Sequence, residues 1–297
     1  MFTTAEVRTV AVDGRLLRVA VRPARAEPGR AEPGRAEPGR AEPGQLPRYP
    51  LLLINGIGAS LEVLQPFVDE IDPAVEVIRF DPPGVGGSAP APRPYRFTGL
   101  CGLISRLLTE LGHDRVDVLG ISWGGAVAQH FAAFQRARCR RLVLVATMTG
   151  ALGVPGRPSV LANMVTPRRY LDQDYLQRVA GGIYGGSARE NPARIAAAMH
   201  GEHAVGGNRV GPPRGYVYQL AAGAGWTSVP FLPLLRQPVL ILAGDDDPII
   251  PLANARLMHR LIRNSRLHVY HGGHLGLVTE AAELAPLVNG FLSEPRP

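Results

Sequence analysis

The sequence predicts an α/β fold built on a mostly parallel central sheet with helices on both faces, and three observations carry that expectation. Apolar runs of strand length recur along the chain at Leu51 to Asn55, Val75 to Asp81, Val116 to Gly120, Leu142 to Thr147, Val239 to Gly244 and Leu267 to Tyr270. Helical patterns fall between them, near Leu61 to Ile71, Thr98 to Leu111, Trp123 to Phe134, Pro251 to Leu261 and Thr279 to Leu292. The strand runs are continuously apolar rather than alternating, as expected of strands covered by helices on both faces. With 297 residues, 45% of them hydrophobic, one large domain can fill such a core.

Taken in order, Val7 to Val12 and Leu16 to Val21 are β-rich and flank Asp13-Gly14. That dipeptide favours the positive φ angles of a tight hairpin turn. Residues 25–44 then repeat Arg-Ala-Glu-Pro-Gly four times. A Pro and a Gly in every pentad, with no net charge per repeat, predict an exposed flexible loop that divides no domains. The strand and helix rhythm begins at Leu51 and runs to about Thr147. Between Met148 and Leu235 it stops, and Gly, Pro and Arg punctuate short helical fragments such as Arg168 to Ile183 and Asn191 to His200. An insertion there would sit over the carboxyl ends of the strands, where ligands bind in open α/β sheets. The expected organisation is a core of residues 1–147 and 236–297 with a lid at 148–235, inserted before the last two strands.

Composition excludes several classes. The 32 cationic residues are all Arg, against 25 acidic ones, for a net charge of +7. They are scattered rather than gathered into a patch with aromatics, so no nucleic-acid partner is expected. The longest apolar runs, Leu142 to Ala146 and Val239 to Ala243, fall far short of the roughly 20 residues of a membrane helix. Cys101 and Cys139 lack CxxC spacing and read as buried free thiols. Met1 to Arg15 has no charged and then apolar leader pattern, so a cytoplasmic protein is expected.

The chemistry begins at Gly120-Ile121-Ser122-Trp123-Gly124, a G-x-S-x-G motif between a strand and a helix. A sharp strand-to-helix turn needs small neighbours, and it thrusts the serine out at the helix N-terminus. Serine is a weak nucleophile and needs a base with something to orient it. Asp245-Asp246-Asp247-Pro248 follows one late strand and Gly272-Gly273-His274 follows the next, giving the order Ser, acid, His. Asp247 is the expected acid because it stands just before the turn and helix that open at Pro248. Asp245 and Asp246 are expected to cap the loop or face solvent. The spacing of His268, His271 and His274 superficially invites a metal, but strand side chains alternate faces, so ligands three apart would not converge. Neither metal nor cofactor is expected. His200 and His203, flanking Glu202, read as polar lid residues. Oxyanion donors are expected from the backbone N–H groups of Trp123 and of Ile57 in Asn55-Gly56-Ile57-Gly58. No Walker lysine follows these glycines, and Gly84-Val85-Gly86-Gly87 is expected to shape the loop beside the site.

On these residues the chain resembles the α/β-hydrolase superfamily and, within it, the intracellular medium-chain-length polyhydroxyalkanoate depolymerases. The resemblance runs from about Leu51 to Leu292. It rests on Asn55 to Ala59, Asp81 with Pro83 to Ser88, Pro94 to Phe97, and Ser122-Trp123-Gly124-Gly125. It continues through Pro167 to Tyr170, Tyr184 to Gly186, Gly225 to Ser228, Ala243 to Pro248 and Gly273-His274-Leu275. The elbow, acid and histidine are generic to the superfamily, whereas the lid segments are more specific.

The resemblance implies hydrolysis of ester bonds in a stored polyester, with release of 3-hydroxy fatty acids at the surface of intracellular granules. Ser122, Asp247 and His274 would be the triad, with no cofactor. Two alternatives stay open on the residues alone. One is a carboxylesterase, lipase or lactonase acting on small soluble esters; the other is a non-catalytic granule-binding module that kept the fold. Ser122 disfavours epoxide hydrolases and dehalogenases, which place Asp there, and a polyester synthase would need Cys. Trp226, Tyr184 and Met164 are candidate apolar contacts, with lid packing the simpler account of each.

Overall fold

A computed structural model describes residues 5–25, 48–200 and 211–295. The repeat tract from Ala26 onward, together with Glu202 and His203, lies outside the described residues. Eight strands form one sheet in the order β1-β2-β4-β3-β5-β6-β7-β8. They are β1 (Glu6–Val12), β2 (Arg15–Arg22), β3 (Leu51–Ile54), β4 (Val77–Phe80), β5 (Val116–Ile121), β6 (Cys139–Val145), β7 (Val239–Gly244) and β8 (Ser265–Tyr270). The hairpin β1–β2 turns at Asp13 and Gly14, both at positive φ of 48° and 71°. β2 pairs antiparallel with β4, and from β4 to β8 every pairing is parallel.

Side chains along each central strand alternate between two apolar clusters, as the strand period of two requires. Leu51, Leu53, Leu119, Ile121, Val143 and Val145 face one cluster. Leu52, Ile54, Val116, Val118, Leu142 and Leu144 face the other. The second cluster is closed by α2 (Phe97–Glu110), α3 (Trp123–Phe134) and α10 (Leu252–Leu261). The first is closed by α1 (Gln65–Glu70), α11 (Gly276–Thr279) and α12 (Ala281–Ser293). Between β6 and β7 come α4 (Pro158–Ala162), α5 (Arg168–Leu171), α6 (Gln173–Tyr184), α7 (Ser187–Glu190), α8 (Pro192–His200) and α9 (Pro213–Gly223). Their buried residues, among them Tyr170, Leu176, Ile183, Tyr184, Met199 and Tyr216, join the first cluster, so the lid and that side of the sheet share one core.

Several boundaries differ from the sequence reading for local reasons. The helix expected over Leu61 to Ile71 opens as a 3-10 turn at Leu61–Leu64 before α1. Pro66 has no N–H to donate to the preceding turn, which accounts for the tighter winding there. The single helix expected over Arg168 to Ile183 is two, because Asp172 is extended and its carboxylate accepts from Tyr175 N–H at 2.8 Å as the N-cap of α6. Helix α9 went unread in the sequence. Its Pro, Gly and Tyr content hid it, and its packing on the core holds it.

Candidate active site

Parallel strands deliver their C-terminal ends to one edge of the sheet, and three of the loops leaving that edge carry Ser122, Asp247 and His274. Ser122 follows β5 at φ 55°, ψ −121°, a conformation that L-residues occupy at a cost. The surroundings over-determine it. Its N–H donates to Val145 O at 2.9 Å and its carbonyl accepts from Thr147 Oγ1 at 2.7 Å. A Cβ at Gly124 would lie 2.1 Å from Ile54 O, so only glycine lets α3 start this close to β3.

Asp247 is buried after β7, and His274 is buried after β8. His274 Nδ1 lies 2.7 Å from Asp247 Oδ2. An ionised carboxylate can only accept, so Nδ1 carries the proton and Nε2 is left as the basic nitrogen. Asp247 Oδ1 accepts from the N–H groups of Ile249 and Ile250, both at 2.9 Å, which fixes the carboxylate in turn. His274 N–H donates to Tyr184 O at 2.7 Å, and the Tyr184 ring stacks on the imidazole with centroids 6.4 Å apart.

The other two aspartates of the run are drawn elsewhere. Asp245 pairs with His271 at 3.0 Å on the surface, where the His271 side chain is 97% exposed. Asp246 accepts from Arg189 Nε at 2.8 Å and from Gly186 N–H at 2.7 Å, so it ties α7 of the lid to the β7 loop. The Arg189 guanidinium, and then the Gly186 N–H, hold its carboxyl down at about 2. His271 and His274 therefore diverge.

Ser122, His274, Asn55 and Ile57 line one cavity, closed on the lid side by Met164, Arg169, Tyr170, Tyr184 and Met199. In the Asn55 to Ala59 loop, Gly56 N–H donates to Asn55 Oδ1, Gly58 N–H to Gln219 Oε1 and Ala59 N–H to Gly56 O. Ile57 N–H is left without an acceptor among the described residues, and so is Trp123 N–H at the first turn of α3. An open pair of backbone donors beside Ser122 is what an oxyanion requires.

The family model for the alpha/beta hydrolase fold matches residues 49–281. The chain belongs to the α/β-hydrolase family. A poly(3-hydroxyalkanoate) depolymerase of Ectopseudomonas oleovorans is 45% identical over 289 residues, 97% of this chain and 93% of that relative, which places this hydrolase in the same depolymerase family. A 3-oxoadipate enol-lactonase of Acinetobacter baylyi is 26% identical across 80% of this chain and 85% of its own. The crystal structure of an enol-lactonase from Burkholderia xenovorans LB400 superposes with a TM-score of 0.74 at 21% identity, covering 97% of this chain and 100% of that one, and shows the shared fold.

Within this α/β hydrolase the sequence reading missed lid residues that line the cavity. Arg169 was read only as part of the family-like segment Pro167 to Tyr170 and Met199 went unremarked, while Met164 and Tyr184 were credited to packing; Tyr184 both packs and faces the cavity. Trp226 lies away from it, in an edge-to-face cluster with Phe97, its ring centroid 5.0 Å away. A short amphipathic helix gives no sign in sequence of which side chain it turns toward a cavity. The Gly84 to Gly87 loop sits under the lid, with Gly84 carbonyl close against Gly215 of α9. Asp81 pins its far end: Oδ2 accepts from Gly87 N–H at 2.8 Å and Oδ1 from Leu61 N–H at 2.7 Å. Among the described residues no group of three His, Cys, Asp or Glu side chains gathers as metal ligands, and no helix is long and apolar enough to cross a membrane.

Proposed function

We propose that this hydrolase cleaves ester bonds of a medium-chain-length poly(3-hydroxyalkanoate) inside the cell, through a Ser122, His274 and Asp247 triad and an acyl-enzyme. The observation that supports the triad is the buried 2.7 Å contact with Asp247 of His274, which lines the same cavity as Ser122. His274 Nε2 takes the Ser122 proton as the alkoxide attacks the ester carbonyl. Ile57 and Trp123 N–H groups hold the resulting oxyanion, and Asp247 steadies the imidazolium. Collapse breaks the C–O bond, His274 returns the proton to the departing alkoxide, and the acyl group stays on Ser122. A water that gives its proton to His274 then attacks the acyl-enzyme, releasing the 3-hydroxy acid and restoring the serine hydroxyl.

The substrate assignment is supported by the near full-length depolymerase relative and by the cavity walls. Val63, Leu64, Met164, Met199, Leu275 and Val278 make an apolar chamber suited to an acyl unit with an alkyl branch. Leu152, Val154, Val165, Leu171 and Val217 stand exposed on the inserted region, between 44% and 62% accessible, and suit a granule surface better than water.

The test compares wild type with Ser122→Ala on native-like polyester granules and on a soluble p-nitrophenyl ester. Release of 3-hydroxy acids that the substitution abolishes is the expected result. Turnover of the soluble ester alone would move the assignment to a small-ester carboxylesterase or lactonase. Inactivity on both, with no labelling of Ser122 by a fluorophosphonate, would point to a binding module.

A further inference from the structure

The loop that offers the Ile57 oxyanion donor is held from outside, by the lid. Ile57 joins two peptide planes. The first carries its own N–H, and the Gly56 carbonyl of that plane accepts from Ala59 N–H within the loop at 3.2 Å. The second, between Ile57 and Gly58, is gripped at both ends by lid side chains. Its carbonyl accepts from Tyr170 Oη at 2.7 Å and from Arg169 Nη2 at 3.4 Å, and its N–H donates to Gln219 Oε1 at 2.7 Å. Gln219 also holds the side chain of Trp123, the residue with the other backbone donor, since the Gln219 carbonyl accepts from the Trp123 indole at 2.9 Å.

These contacts are built rather than incidental. Arg169, Tyr170, Tyr216 and Gln219 are all buried, with Gln219 at 0% exposure. Gly58 is at φ 75°, and a Cβ there would come within 2.7 Å of both the Tyr170 and Tyr216 rings, so the loop and lid interlock at a position only glycine fills. Arg169 is the least expected member. It packs over the Tyr170 and Tyr216 rings at 4.6 and 5.3 Å, donates to Tyr216 Oη at 2.8 Å, and pairs with no carboxylate among the described residues. A guanidinium keeps its charge when buried, so an uncompensated cation stands at the carbonyl of the residue whose N–H meets the oxyanion. Its field, from a buried position, favours the transition state over the neutral ester.

We propose that Tyr170, Arg169 and Gln219 are positioning residues for the oxyanion hole, so that the Ile57 donor is aligned only while α5 and α9 of the lid are seated. This rests on the Ser122 mechanism above and says where its oxyanion geometry comes from. Because the clamp acts on the transition state and not on the bound ester, its loss should appear in kcat with KM little changed.

The test uses the full-length enzyme on a soluble p-nitrophenyl ester. The variants are Tyr170→Phe, Gln219→Leu, Arg169→Met and Arg169→Lys, beside Ser122→Ala. Removing a whole oxyanion donor costs ~100- to 1,000-fold in kcat; a misaligned one should cost about tenfold in Tyr170→Phe and Gln219→Leu, and more in Arg169→Met. Arg169→Lys, which keeps the charge, should recover part of that loss. Affinity for a boronic acid, whose tetrahedral adduct mimics the oxyanion, should fall in step with kcat/KM. A kcat within about twofold of wild type in folded Tyr170→Phe and Gln219→Leu, or a loss confined to KM, would overturn the proposal. Tyr170→Phe removes one oxygen and keeps the ring, so it reports even if the Arg169 variants do not fold. Activity persisting in Ser122→Ala would instead sink the mechanism on which the clamp rests.

Discussion

The loop of Ser122 and the loop of Ile57, the proposed nucleophile and oxyanion donor, lie side by side on one cavity, yet they are held by different parts of the molecule. Ser122 is locked by the sheet: Val145 O and Thr147 Oγ1 fix its peptide groups, and Gly124 lies against the Ile54 carbonyl. The Ile57–Gly58 peptide is locked by Tyr170, Arg169 and Gln219, all from the inserted region. Parallel strands with 0% exposure along Leu51, Leu52, Val118 and Leu119 make the first a rigid feature. The second depends on a set of short helices outside the sheet. In the proposed mechanism nucleophilicity belongs to the core, and oxyanion stabilisation is shared with the lid.

The strongest way to break this comparison is at the elbow. Ser122→Ala should lower kcat by about a million-fold with the fold intact, checked by steady-state rates and circular dichroism. Asp247→Asn should come next, at about 10,000-fold, because the amide oxygen stays on the Ile249 and Ile250 N–H groups and the amide NH2 donates to Nδ1, which moves the imidazole proton to Nε2 and removes the base; the pH-rate profile reads it directly. Gly124→Ala probes the core's grip. The added methyl meets Ile54 O at 2.1 Å, so we expect a loss of about 1–3 kcal/mol in urea unfolding together with activity. The roughly tenfold kcat effect expected of Tyr170→Phe, without a comparable stability loss, would set the lid's role apart from the core's.

The smallest effect concerns the tether between lid and core. Asp246 sits well below the ordinary carboxylate range in the folded protein because of Arg189 and the Gly186 N–H. A depressed carboxylate adds stability above its unfolded value and loses it as pH falls through about 2, the folded value. Both side chains are about half exposed, at 50% and 43%, so solvent screening should hold the contribution below about 1 kcal/mol. Arg189→Met should therefore shift acid unfolding slightly, and it should leave the soluble-ester kcat near wild type. A large kcat loss would place the tether in the oxyanion clamp after all.

The core was legible because each strand is a short apolar run whose neighbours in sequence are helices, and because burial on both faces leaves no other reading. The turn at Asp13-Gly14 and the Ser122 elbow were legible from local backbone chemistry, where residue type and φ are coupled. Asp247 could be picked from three adjacent aspartates by its place before Pro248, but what separates them in space is their partners: His271, Arg189 and His274. None of those pairings leaves a mark on the local sequence. Helix ends at Pro66 and Asp172 were misjudged where a missing donor or a capping side chain overrode the apolar period.

By itself the sequence determined the order of the core strands and of the helices between them, the turn at Ser122 and the chemistry of the groups at the strand ends, since these follow from residue type and short-range spacing. Only the tertiary structure decided that Arg169, Tyr170 and Gln219 close on Ile57 and Gly58. Those contacts join positions more than 100 apart in the chain, and they arise because the lid shares its apolar core with one face of the sheet.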